Sequence, residues 1–93
     1  MSDAANLIEE LARHIERGEE LDFTELVDIH ARIERLRESL KAEAGEGGQE
    51  VRAAKSADLL IEKIIMGYAS NTPATLSDLE RILASVDKSS VGR

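Results

Sequence analysis

The sequence feature that most constrains the fold is the apolar stretch at residues 57–69, ADLLIEKIIMGYA. At about 100° per residue, most of its apolar side chains fall on one broad face of a helix, and Leu59 and Met66 fall on the opposite side. The chain has one Phe, one Tyr and no Trp, so the core must form against this helix. A helix that is apolar in two directions needs more than one neighbour, which predicts a helical bundle.

The composition limits both the core and the partners. A chain of 93 residues is the size of one domain and buries roughly 60–65% of its unfolded surface. Because aromatic residues make up only 2% of the chain, Leu, Ile, Val and Ala must supply the burial, and self-association would add to it. The net charge of −7 repels phosphates and anionic membranes. We therefore expect no nucleic-acid partner and no membrane partner.

Three absences narrow the compartment and the chemistry. The chain has no cysteine, which excludes disulfides, thiolate metal sites and a cysteine nucleophile. No basic stretch precedes an apolar run near the first residue, so no secretory signal is visible. The longest apolar run is interrupted by Glu62 and Lys63 and is shorter than the roughly 20 residues that span a bilayer. We predict a cytoplasmic protein.

The apolar periodicity predicts a single all-α domain, 1–93, with four helices. Gly18 is placed to end the first helix. Asp22 and Glu25 have the spacing of a capping box that starts the second helix, and Leu21 with Leu26 fits a hydrophobic staple around it. The glycine-rich loop 45–48 is predicted to be flexible and the tail 88–93 to be frayed. The four predicted helices span about residues 3–17, 23–44, 49–70 and 74–87.

Short connections between these helices predict an antiparallel up-and-down bundle. The first and fourth predicted helices are short and the middle two are long, so both short helices cover the same half of the long pair. The other half would have little to pack against, and we predict that dimerisation completes it. The apolar residues of that half are Leu40, Ala44, Val51, Ala53 and Ala54.

The most informative candidates for function are apolar residues that the core does not require. Phe23 and Val27 lie off the apolar stripe of the second helix, and Leu59 and Met66 lie off the stripe of the third. A second core layer within one chain would also explain them. We predict a small acidic protein–protein interaction or regulatory module that acts through these helix faces. The partner is either another protein, for which the acidic surroundings favour a basic surface, or a second copy forming a homodimer.

An alternative function comes from a short motif in the first helix. The sequence His14-Ile15-Glu16-Arg17-Gly18 resembles in part the H-x-L-K-G motif of histidine phosphotransfer domains, which are small four-helix bundles. The resemblance implies that His14 accepts a phosphoryl group and that Arg17 supports it electrostatically. Glu16 stands where that family has an apolar residue, and Arg17 replaces its lysine. This divergent phosphotransfer domain would need an exposed His14 on a helix that continues past Gly18.

No catalytic, cofactor or metal site is predicted. No serine lies in a glycine elbow and no phosphate-binding glycine loop precedes a helix, so we do not expect an enzyme. Both histidines are predicted at the edges of apolar stripes. Helical metal sites use Glu-x-x-His pairs, but Leu11 and Val27 stand three residues before His14 and His30. Glu10 and His14 are four residues apart and could bind a metal ion only weakly.

Overall fold

Four α-helices make up most of the chain in this computed structural model, which describes residues 3–45 and 47–91. They are α1 (Asp3–Arg17), α2 (Phe23–Ala44), α3 (Gln49–Met66) and α4 (Pro73–Val91). Within those described ranges there is no strand, so the predicted all-helical class is confirmed. α1 packs on α4, α4 on α3 and α3 on α2, and a thinner contact between α2 and α1 closes the ring.

The start of α2 follows the predicted capping box. The Asp22 carboxylate accepts a hydrogen bond from the Glu25 backbone N–H at 2.8 Å, and the Glu25 side chain accepts one from the Asp22 N–H at 3.0 Å. Leu21 is buried beside the box. Its backbone exchanges two hydrogen bonds with the Asn71 side chain, at 3.2 and 2.6 Å. The segments after α1 and after α3 therefore meet at the same end of the bundle.

Glycines with a positive φ end three of the helices: Gly18 follows α1, Gly45 follows α2 and Gly67 follows α3. Gly18 follows α1 with a φ of 66°, in the left-handed conformation that closes a helix. Gly67 follows α3 with a φ of 85°, and its N–H contacts the carbonyls of Lys63 and Ile64. The predicted third helix, 49–70, is thus too long by four residues. Gly67 is a terminator because glycine adopts a positive φ without a steric penalty.

The predicted division into two long and two short helices is wrong. The helices have 15, 22, 18 and 19 residues, so α4 is longer than α3. α4 begins at Pro73, where the Thr72 carbonyl accepts the Leu76 N–H, and it continues to Val91 because no glycine or proline interrupts it earlier. Residues 88–91 of the predicted frayed tail 88–93 are therefore helical, and residues 92 and 93 lie outside the described ranges. None of the helices in the described ranges is long and apolar enough to cross a membrane.

The half of the bundle that was expected to lack cover is buried within the single chain. Val51 is 5% exposed and Ala54 is fully buried, while Leu40 is half-buried. Val86, late in the longer α4, is also buried. Ala44 and Gly45–Gly48 were part of the same expectation, but the Ala44 side chain and residue 46 lie outside what the structure describes. Completion by a second copy is not needed to bury this end.

Candidate functional site

The four side chains predicted to contact a partner are all exposed. Phe23 is 68% exposed, Val27 44%, Leu59 50% and Met66 66%. Phe23 and Val27 share one side of α2, and Leu59 and Met66 share one side of α3, because residues four and seven apart lie on one helix face. We call these four residues the α2–α3 face. They are not a second core layer within the chain, which was the other interpretation of these positions.

Tyr68 adds to the exposed apolar surface. The sequence pattern placed it on the core face of the third helix, but it lies beyond Gly67, where α3 has ended, and it is 78% exposed. The turn at Gly67 removes Tyr68 from the helical register, so its ring no longer points with Ile61 and Ile64. This expectation is wrong for the same reason that the predicted end of α3 is wrong.

A polar cluster lies where α2 packs on α3. The His30 cluster consists of His30 and Glu34 on α2 and of Asp58 and Glu62 on α3. His30 Nε2 lies 3.1 Å from Asp58 Oδ1, 3.3 Å from Glu62 Oε1 and 3.5 Å from Glu34 Oε1. One ligand atom from each of the four residues lies within 4.8 Å of all the others. Three carboxylates from two helices thus converge on one imidazole nitrogen.

Asp58 is the buried member of this cluster, with a side chain only 6% exposed. Arg37 Nη1 lies 3.4 Å from its Oδ2, whereas its Oδ1 is buried and has no hydrogen-bond partner. Burial raises the pKa of the Asp58 carboxyl above its ordinary value, and the opposing charges of His30 and Arg37 do not cancel that effect; the carboxylates of Glu62 and Glu34 raise the pKa further. The folded chain therefore disfavours the ionised form of Asp58.

Hydrogen bonding alone cannot satisfy the cluster. An imidazole nitrogen carries at most one proton, yet three carboxylate oxygens lie within 3.5 Å of His30 Nε2. The geometry gives a hydrogen bond only to Glu62. Imidazole nitrogens and carboxylate oxygens are ligands of divalent transition metals, so these residues are the ones in the described ranges that could hold a metal ion.

The other histidine lies between α1 and α2 in a simpler arrangement. His14 Nε2 is 2.9 Å from Glu25 Oε2, with 21% of its side chain exposed. Its Nδ1 is buried without a hydrogen-bond partner. Arg17 lies 3.7 Å from Glu19, and α1 ends before Gly18. Phosphotransfer at His14 would need an exposed imidazole and a continuing helix, so this geometry gives that alternative no support.

Arg32 provides the second link between α1 and α2. Its guanidinium forms an ion pair with Glu10 on α1 and lies 3.5 Å from Asp28 on its own helix. Burial lowers the pKa of Arg32, but the hydrogen bonds and negative charges of Glu10 and Asp28 outweigh burial and raise that pKa above its ordinary value. On this side of α2, Glu10 and Asp28 therefore share Arg32, and Glu25 pairs with His14.

The His30 cluster was not predicted from the sequence. The sequence argument looked for Glu-x-x-His pairs, whereas this cluster uses His30 with Glu34 and Asp58 with Glu62, each four residues apart on one helix. That spacing is a visible signal, since such residues share a helix face. Which of the two pairs would meet depends on the register of α2 against α3, and apolar periodicity does not specify it.

No protein-family model, no curated protein and no solved structure matches this chain. Its function is therefore inferred from its own residues and geometry.

Proposed function

We propose that this chain is a small helical interaction module that self-associates through the α2–α3 face. The observation that carries the proposal is the exposure of Phe23, Val27, Leu59 and Met66, each at least 44% accessible. Several large apolar side chains exposed on two adjacent helices are typical of interfaces between proteins. Burial of apolar surface contributes about 25 cal/mol per Å², so covering these side chains would stabilise a complex.

The distribution of exposed apolar residues supports this choice of surface. Among the residues whose side chains the structure describes, the large exposed hydrophobics lie on α2, on α3 or just after α3. α1 and α4 contribute none of them. A single exposed apolar residue carries no information, but a set restricted to two adjacent helices favours one binding surface.

The charges near this surface favour a second copy as the partner. Lys55 and Lys63 are exposed on α3, and Glu34 on α2 and Glu62 on α3 are 54% and 44% exposed. A two-fold interface places the same patch on both sides, so the patch must be complementary to itself. A surface that carries both signs meets this requirement despite the net charge of −7.

The size of the surface fits a small dimer interface. α2 and α3 have 22 and 18 residues, and two adjacent helices of that length present a face of roughly 30 Å by 20 Å, or about 600 Å². Standard interfaces bury about 800 Å² per partner. The proposed contact is smaller than this standard area per partner, so we expect a reversible dimer rather than an obligate one.

An antiparallel order of α2 and α3 is part of the same proposal. Cross-helix pairs support it. Arg37 of α2 contacts Asp58 of α3, whereas His30, earlier in α2, contacts Glu62, later in α3. The order along the two helices is opposite, as expected for antiparallel neighbours.

Light scattering across a dilution series, with a chelator present, tests the self-association. The chain has a mass of 10.2 kDa, and we expect the measured mass to approach twice that value at high concentration. Changing Leu59 and Met66 to Glu should keep the protein monomeric throughout. The matched control changes Ala74 and Ser85, both exposed on α4, to Glu, which adds the same charge elsewhere. A monomer at every concentration, or equal loss of dimer in both variants, would contradict the proposal.

A further inference from the structure

We propose that the His30 cluster is a binding site for a divalent first-row transition metal ion, represented here by Zn²⁺. The donor atoms already have suitable separations, with 3.1, 3.3 and 3.5 Å between His30 Nε2 and the three carboxylate oxygens. Zinc bonds to nitrogen and oxygen of about 2.1 Å in a tetrahedron place neighbouring donors roughly 3.4 Å apart. The three separations from His30 Nε2 therefore match a tetrahedral site, and all four donor atoms lie within 4.8 Å of one another, so the carboxylates need only approach one another to surround one ion.

The ligand types define the class of metal. One imidazole and three carboxylates, from His30, Glu34, Asp58 and Glu62, form a set that Zn²⁺ and related ions bind. Mg²⁺ and Ca²⁺ prefer oxygen ligands alone and more of them. The set contains three negative charges, and an ion with two positive charges balances most of them. We therefore expect the cluster to prefer Zn²⁺ over Mg²⁺ and Ca²⁺.

The buried oxygen of Asp58 is an independent sign of a ligand. Acidic clusters on a protein surface are commonly solvated, but the Asp58 side chain is only 6% exposed and its Oδ1 has no hydrogen-bond partner. That oxygen is also the carboxylate atom nearest to His30 Nε2. A buried polar atom without a hydrogen bond is costly. The 3.1 Å contact with His30 Nε2 is an ion pair only when the imidazole is protonated, whereas a metal ion between Asp58 and His30 would bond to both atoms.

Arg37 orients this oxygen toward the proposed ion. Its Nη1 lies 3.4 Å from Asp58 Oδ2, which directs the other oxygen, Oδ1, to His30. A group that hydrogen-bonds to a metal ligand commonly raises metal affinity by roughly 10- to 100-fold. Arg37 is a positioning residue in this account, and it does not bind the metal itself.

This inference goes beyond the proposed function and does not depend on it. All four ligands belong to one chain, so a monomer can bind the metal. Self-association is measured by mass in the presence of a chelator, whereas metal binding is measured by titration. Either proposal can therefore fail while the other holds.

Isothermal titration of the metal-free full chain with ZnCl₂ tests the site. We expect one ion per chain, with weak or no binding of MgCl₂ and CaCl₂ under the same conditions. The variants His30→Gln and Asp58→Asn should each weaken zinc binding by roughly 100-fold or more, and Arg37→Gln by about 10-fold. Glu34→Gln and Glu62→Gln change partly exposed side chains, so they test the site without disturbing the core.

The matched control is His14→Gln, since His14 is the chain's only other histidine and contacts a single carboxylate. This control should retain one ion per chain with unchanged affinity. Absence of saturable zinc binding would overturn the proposal. Equal weakening in the His14 and His30 variants would also overturn it, because it would indicate adventitious binding by surface histidines.

Discussion

The contact of α2 with α1 and the contact of α2 with α3 contain the same kinds of charged groups in different arrangements. The side facing α1 has three carboxylates, one imidazole and one guanidinium, and so does the side facing α3. We call them the α1–α2 seam and the α2–α3 seam. The groups of the α1–α2 seam are Glu10, Glu25, Asp28, His14 and Arg32, and those of the α2–α3 seam are Glu34, Asp58, Glu62, His30 and Arg37.

The difference lies in convergence and burial. In the α1–α2 seam, Glu25 pairs with His14, and Glu10 and Asp28 pair with Arg32. All three of those carboxylates are at least 38% exposed. In the α2–α3 seam, three carboxylates meet at one nitrogen, and one of them is buried. An equal inventory of charges therefore yields solvated ion pairs on one side and a candidate ligand site on the other.

The largest expected effect is stabilisation of the chain by zinc, which should depend on the α2–α3 seam and not on the α1–α2 seam. At a free zinc concentration about 100-fold above Kd, binding adds about 2.7 kcal/mol to the free energy of unfolding, and EDTA should remove that increment. Urea denaturation with and without EDTA measures it. His30→Gln should abolish the increment, while His14→Gln should keep it. An increment that survives in the His30 variant would contradict the assignment of zinc binding to the α2–α3 seam.

Removing the cap of α2 should destabilise the helix that the two seams share. Asp22→Ala loses the hydrogen bond to Glu25 at 2.8 Å, and loss of such a cap costs about 1 kcal/mol. Denaturation in chelator should show this decrease. Zinc affinity should stay within about twofold of wild type, because the His30 cluster lies two or more turns from the cap. A large loss of affinity would indicate that the site depends on the capped end of α2.

Neutralising Asp58 should stabilise the metal-free chain at neutral pH. Burial raises the pKa of Asp58, so ionisation is less favourable in the folded state than in the unfolded state. Asp58→Asn removes that buried charge at almost constant volume. Denaturation in EDTA measures the change. A clear decrease in stability would mean that the pairing with Arg37 contributes more than burial costs.

The corresponding change in the α1–α2 seam should have the opposite sign and the smallest size. Glu25→Gln removes the charge opposite His14 but keeps a side-chain oxygen for the Asp22 N–H. Because Glu25 is partly exposed, the loss should be only about 0.3 kcal/mol. The same urea measurement applies. Stabilisation by both Asp58→Asn and Glu25→Gln would show that the two seams do not differ in the way described.

Local sequence signals predicted much of the fold. The capping box of Asp22 and Glu25, the termination at Gly18 and the apolar stripes each depend on residues a few positions apart, so periodicity and capping rules apply directly. The same helical spacing placed Phe23 and Leu59 off the apolar stripes but left open whether they form a second core layer, and the structure shows both exposed. The end of α3 was missed because Gly67 was interpreted as a weak helical residue rather than as a left-handed terminator.

The candidate site could not be predicted in the same way. His30 and Asp58 are far apart in sequence, and their 3.1 Å separation depends on how α2 and α3 pack against each other. The burial of Val51 and Ala54 was also not predicted, because it depends on how the helices pack at that end of the bundle. Both misses concern packing between elements, which local patterns do not determine.

The most direct test of the difference between the seams is a zinc titration followed by NMR of the two imidazole side chains. The chain contains only two histidines, so each can be assigned with one substitution. We predict that the Nε2 resonance of His30 shifts to its metal-bound position and saturates at one ion per chain, while the His14 resonances stay unchanged. Parallel shifts of both histidines, or no shift of His30 at saturating zinc, would contradict the account.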